Sequence, residues 1–240
     1  MFKINNKNLK IPKAVIFDTD NTILDSITSD KFALKKVQKR AAKKLNISEK
    51  KFQNAFFKSR KEIKELLGYS ASSHSRLLYF QRTIEHLGFG SSIFLSLDFE
   101  QTYWREFLLN SELYENIEDL LGFLKSKKIK TANITDLTAQ IQFRKMVYFG
   151  LDNYFDFVVT SEESGEDKPS KKTFDLVLKK LSFDPEEIWM IGDDYEKDIK
   201  GAKNVGIKTL HYTNSYNMRH ISADIQFNDY KKLFDFMLSL

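Results

Sequence analysis

Ala14-Val15-Ile16-Phe17-Asp18-Thr19-Asp20-Asn21-Thr22 is the stretch whose reading decides the fold. A short apolar run, β-rich at its centre, suits a strand buried on both faces, and one is expected from Lys13 to Phe17. It runs straight into Asp18 and Asp20, two carboxylates two positions apart. Carboxylates at the end of a buried strand are costly unless they bind a cation or take part in chemistry.

From about Ser26 to Asn110 the pattern is helical only. Leu34, Val37, Ala41 and Leu45 fall on one face, then Phe52, Phe56, Ile63 and Leu67. Leu77, Phe80, Ile84 and Leu87 form a third stripe ended by Gly88, and Phe99, Tyr103 and Phe107 a fourth. From Ser111 onward helix and strand alternate, with strands expected at Lys130 to Ile134, Phe157 to Thr160, Ile188 to Ile191 and Ile207 to Leu210. Such alternation builds a parallel sheet with helices on both faces. The expected fold is α/β: a doubly wound, Rossmann-like core formed by residues 1–25 and 111–240, interrupted by a helical-bundle cap at 26–110.

Ligands of such sheets bind beyond the carboxyl ends of the strands. Asp18, Thr135, Lys168 and Asp193 each follow an expected strand at that end, so four distant segments converge. Phosphoryl transfer needs a nucleophile, neutralisation of the phosphoryl oxygens and a proton for the leaving group. Asp18 is placed as nucleophile and Asp20, on the same turn, as general acid and then base. The Thr135 hydroxyl and the Lys168 ammonium suit a phosphate. Asp136 is grouped with them, although its carboxylate would repel a phosphate and is expected to point away or cap the next helix. Asp18 and Asp193, supported by Asp194 or Asp198, form a carboxylate set suited to Mg²⁺. Pro169 is expected to open the following helix.

FDTDNT, ANITD, DKP and IGDDYEKD resemble, in order, the four motifs of the haloacid dehalogenase-like hydrolase superfamily, in its helical-cap phosphatase subgroup. The resemblance spans the whole core. It implies Mg²⁺-dependent phosphatase chemistry through an aspartyl phosphate, with backbone groups of Asp20 also touching the metal. Asn21 stands where glycine is commonest, and Asp136 where Asn or Gly is more usual; neither change removes a catalytic group.

Composition narrows the alternatives. The chain has 240 residues, 42% hydrophobic and 14% aromatic, enough for a substantial core. It has no cysteine, hence no disulfide, thiolate zinc site or cysteine nucleophile. The net charge of +5 lies on helical lysines such as Lys35, Lys36, Lys39, Lys43 and Lys44, a solvated face rather than a nucleic-acid patch. No apolar stretch approaches the roughly 18 residues of a spanning helix, and Met1 to Lys10 lacks the apolar centre of a secretory signal. A cytoplasmic monomer or homodimer is expected, acting on a small phosphorylated metabolite, nucleotide or sugar phosphate, with no membrane or nucleic-acid partner.

In the cap, His74 and Arg76 are candidates for substrate selection against the plainer reading of a capping segment. Phe56, Phe57, Tyr103 and Trp104 read as cap core, and His86, His211 and His220 as structural or exposed. A sugar-phosphate mutase shares the same nucleophile and acid, and a non-catalytic phospho-ligand binder is the alternative of another class. A dehalogenase has no need of an acid at position 20. A phospho-receiver places its paired acids before the phosphorylated aspartate, unlike the order Asp18, Asp20, Thr135, Lys168, Asp193 here.

Overall fold

The computed structural model describes residues 2–213 and 222–240. His220 lies outside the described residues. The strands are β1 (Phe2–Ile4), β2 (Ala14–Phe17), β3 (Lys130–Thr135), β4 (Phe157–Thr160), β5 (Ile188–Gly192), β6 (Lys208–Tyr212) and β7 (Ile225–Phe227). The helices are α1 (Ser26–Leu45), α2 (Glu49–Leu67), α3 (Arg76–His86), α4 (Ile93–Leu109), α5 (Ile117–Ser126), α6 (Ala139–Tyr148), α7 (Ser161–Ser164), α8 (Lys171–Leu181), α9 (Lys200–Lys203) and α10 (Tyr230–Leu238). The chain divides into two compact units, Met1–Asp25 with Leu113–Leu240, and Ser26–Glu112.

In the first unit the described strands form one sheet in the order β1-β7-β6-β5-β2-β3-β4. All neighbours are parallel except β1, which pairs antiparallel with β7. The middle strands β2 and β5 are apolar throughout because both faces are covered. Val15, Phe17, Trp189 and Ile191 pack with Leu120 and Leu124 of α5 and Leu233 and Met237 of α10. The alternate residues Ala14, Ile16, Ile188 and Met190 pack with Phe174, Val177 and Leu181 of α8. Each such large side chain contributes about 1.5–3 kcal/mol when fully buried.

β1 and β7 are not expected from the sequence; each has only three residues and a polar central position, too short for a periodic signal. Pro169 does not open α8: Ser170 is its N-cap, its side chain accepting from Lys172 N. No helix among the described residues is long and apolar enough to cross a membrane.

The second unit is α1 to α4 around an aromatic core. Phe52 meets Phe99 edge-on at 5.7 Å, and Phe56 and Phe80 stand 5.4 Å apart. Phe56, Tyr103 and Trp104 are buried as expected, whereas Phe57, on the outer face of α2, is 47% exposed. At the surface, Arg40 of α1 grips Asp98 of α4 through both carboxylate oxygens, at 2.5 and 2.7 Å, and Lys44 adds a third bond at 2.9 Å.

The hydrogen bond from Arg40, outweighing a small desolvation cost, holds the Asp98 carboxyl down at about 2, below its ordinary 3.8. The folded state therefore binds fewer protons here than the unfolded chain. Its stabilisation is full above about pH 4 and lost as pH falls through about 2. Asp98→Asn should cost about 1 kcal/mol at neutral pH after allowance for solvent screening. Denaturant melts of both proteins at descending pH should show the difference vanish near pH 2.

Candidate active site

Asp18 continues the β2 ladder one step past its end, its N–H bonded to Ile191 O at 3.0 Å. The chain then turns tightly: Thr19 O accepts from the N–H groups of Thr22, Ile23 and Leu24. Asn21 sits in the left-handed region at φ 64°. Asparagine is among the residues that tolerate this conformation, which accounts for Asn at a position where glycine is commonest. Asn133 of β3 pins the turn, donating to Phe17 O at 2.9 Å and accepting from Thr19 Oγ1 at 3.0 Å.

Lys168 lies just before α8, and its side chain is buried to 3% exposure. Its Nζ donates to Asp18 Oδ1 at 2.5 Å, to Asp198 Oδ1 at 2.7 Å and to Ile134 O at 3.3 Å. Asp198 is carried by a wide π-helical turn, Tyr195–Ile199, after β5. Gly192 makes room for it: a Cβ there would lie 2.4 Å from Asp198 Oδ2. Asp18, Asp193 and Asp198 bring one carboxylate oxygen each to within 4.8 Å of one another.

Burial first, then the neighbouring carboxylates, raises the pKa values of this group. Asp18 is held well above its ordinary value, Asp198 is raised, and Asp193 is pushed up to about 7. Burial opposes the charge on Lys168, yet Asp18, Asp198 and Asp136 together lift its pKa well above the ordinary value. When all are ionised, three carboxylates against one ammonium leave two negative charges in excess. A hard divalent cation with oxygen ligands matches that charge and donor set, so the residues fit Mg²⁺.

The two candidate supporting acids part company. Asp198 joins the cluster, while Asp194 caps the π turn, its Oδ1 accepting from Glu196 N and Lys197 N. The Asp20 carboxylate stands outside the three-acid cluster, with both oxygens on Lys145 Nζ at 2.7 and 2.8 Å. Thr135 Oγ1 accepts from Gln142 Nε2 at 2.7 Å and donates to Asp136 O at 3.3 Å. The Asp136 carboxylate accepts from Lys197 Nζ at 2.7 Å and from Lys168 N at 2.9 Å. It does not cap α6, whose N-cap is Thr138.

Four further residues hold this arrangement: Thr22, which donates to Asp193 Oδ1 at 3.2 Å, with Asn133, Gln142 and Lys145. Thr22 and Asn133 lie within the motifs FDTDNT and ANITD, whereas the only mark of Gln142 and Lys145 is a polar side chain beside the apolar Ile141 and Met146 of α6. His211 Nε2 bonds Asp193 O at 2.8 Å, and burial lowers the pKa of the ring.

In the helical unit, His74 ends a short 3₁₀ turn, Ala71–His74, and is half-buried. Arg76 is committed within the same unit: it bonds Asp30 Oδ1 at 3.1 Å and His74 O at 2.9 Å, and lies 5.2–5.7 Å from the rings of Tyr79, Tyr103 and Trp104. His86 Nε2 pairs with Glu62 at 2.7 Å.

The model of the haloacid dehalogenase-like hydrolases matches residues 12–206, which include every acid of this site. The chain belongs to that family. The ribulose-1,5-bisphosphate 5-phosphatase of Halopiger xanaduensis is 34% identical over 202 residues, covering 82% of this chain and 83% of that one. The glyceraldehyde 3-phosphate phosphatase of Methanopyrus kandleri is 27% identical over 201 residues, 82% of each chain. The crystal structure of a HAD phosphatase from Thermococcus onnurineus shares the fold, with a TM-score of 0.73 at 24% identity over 93% of this chain and 97% of that one. This member of the haloacid dehalogenase-like family is a hydrolase of the phosphatase type.

The raised Asp193 carboxyl sets the sign of a stability test. Between about pH 4 and 7 the metal-free folded state holds a proton that the unfolded chain releases, so stability falls as pH rises through that window. Asp193→Asn removes this cost. At about pH 8 in EDTA the variant should be more stable than wild type by about 1 kcal/mol, and the gap should close toward pH 4. Added Mg²⁺ should raise the melting temperature of wild type and leave that of the variant unmoved.

Proposed function

We propose that this enzyme is a Mg²⁺-dependent phosphomonoesterase that acts on a small phosphorylated metabolite through an aspartyl phosphate on Asp18. The observation that carries the reading is the buried group of Asp18, Asp193, Asp198 and Lys168, with Asp20 two residues beyond Asp18 on the same turn. Sugar phosphates are favoured over nucleotides, because the named relatives act on a pentose bisphosphate and a triose phosphate.

Asp18 Oδ attacks phosphorus while the ester oxygen departs and takes a proton from Asp20. Asp20, now ionised, accepts a proton from water as that water attacks the acyl phosphate, and phosphate leaves with Asp18 restored. Lys168 balances the negative charge gathered at Asp18 and at the phosphoryl oxygens. The Thr135 hydroxyl, held as an acceptor by Gln142, turns its proton to a phosphoryl oxygen. Asp18, Asp193 and Asp198, with the Asp20 backbone as the family resemblance implies, would hold Mg²⁺, which supplies positive charge against the transferring group. The Asp136 carboxylate, tied to Lys197 and the Lys168 backbone, supports the phosphate site by placing Lys168 rather than by contact. His74 stays a candidate for substrate selection; Arg76 serves the interior of its own unit.

Phosphate release should be measured on a panel of triose, pentose and nucleotide monophosphates. Mg²⁺ should be required, EDTA should abolish turnover, and Asp18→Asn should lower it about a thousandfold or more. Metal-independent turnover, or turnover that survives Asp18→Asn, contradicts the reading.

A further inference from the structure

Gln142 and Lys145 are the two buried polar residues on α6, and the proposed chemistry leaves Lys145 without a part. They are three residues apart, the spacing that puts both on one helix face. A buried ammonium is unfavourable without a partner. The Lys145 side chain, 3% exposed, finds both oxygens of Asp20. Gln142 Nε2 donates to Thr135 Oγ1 and to Asp136 O at 3.0 Å, and lies 3.4 Å from Asp20 Oδ2. Those three neighbours are acceptors, which fixes the orientation of the amide. Its Oε1 is left buried with no hydrogen-bond partner, so the side chain is retained at a cost.

We propose that Lys145, assisted by Gln142, is the positioning residue for Asp20. The proposal rests on the reading of Asp20 as general acid and base. A carboxylate at a turn is free to rotate about its side-chain bonds; gripping both oxygens removes that freedom. The grip also turns Asp20 toward α6, outside the three-acid cluster, where a fourth carboxylate would add to an existing excess of negative charge. Gln142 links the Asp20 side to Thr135, so one helix face aligns the proton donor with the phosphate-binding hydroxyl. On substrate binding, protonated Asp20 keeps one oxygen on Lys145 and turns its O–H to the leaving oxygen, with the carboxyl already in register.

A lysine that merely supports the fold would matter equally for every substrate. A lysine that positions the acid matters most where the leaving group needs a proton. The test compares kcat/KM, which reads the step that expels the leaving group, for wild type, Asp20→Asn, Lys145→Met and Lys145→Arg, with Mg²⁺, on p-nitrophenyl phosphate and on glycerol phosphate. Lys145→Met should lower kcat/KM on the alkyl ester about tenfold to a hundredfold. It should change kcat/KM on the aryl ester by less than about threefold, and Lys145→Arg should restore most of the loss on the alkyl ester. Equal losses of kcat/KM on both substrates overturn the proposal. If Asp20→Asn separates the two substrates and Lys145→Met does not, the positioning role alone fails. If Asp20→Asn does not separate them, the acid assignment fails and the proposal with it. Should Lys145→Met not fold by circular dichroism, Lys145→Gln, which keeps a donor without the charge, carries the same comparison.

Discussion

Everything in the core unit is arranged around one buried ammonium, that of Lys168, held between Asp18 and Asp198. Removing carboxylates from water costs several kcal/mol each, and a single lysine inside a three-acid cluster offsets only part of that. The sheet tolerates the deficit because its central strands are packed on both faces and hold the strand ends rigidly. Gly192 yields its side-chain volume to Asp198, and Asn21 takes a left-handed backbone so that Asp18 and Asp20 share one turn. Three carboxylates against one ammonium differ from a balanced structural ion pair and offer the donor set of a divalent-cation site.

Much of this was legible in the sequence. β2 and β5 are apolar runs followed by the acids Asp18 and Asp193, β3 alternates Ala132 and Ile134 with polar residues up to Thr135, and their order along the chain already implies a shared edge. The short β1 and β7 were not legible, since three residues carry no period. Nor was the division between Asp194 and Asp198. Both are acids after the same strand, and only the π turn decides that Asp194 caps while Asp198 reaches inward. Phe57 and Arg76 show a related limit: Phe57 lies on the uncovered face of α2 beside the buried Phe56, and a guanidinium reads as polar until its partner Asp30 is seen.

The two units differ in what stabilises them. The core carries strained electrostatics on a rigid sheet, whereas the helical unit is an aromatic interior closed by a surface clamp between Arg40, Lys44 and Asp98. Family membership accounts for the shared core.

The central claim is that Asp18 carries the phosphoryl group. The most direct measurement is acid quench of the Asp20→Asn enzyme during turnover of an aryl phosphate with Mg²⁺, followed by peptide mapping. The account predicts an acid-stable, base-labile phosphate on the peptide holding Asp18, because loss of the base slows its hydrolysis. Steady product release with no phosphoenzyme, or phosphate on a peptide that lacks Asp18, would contradict it.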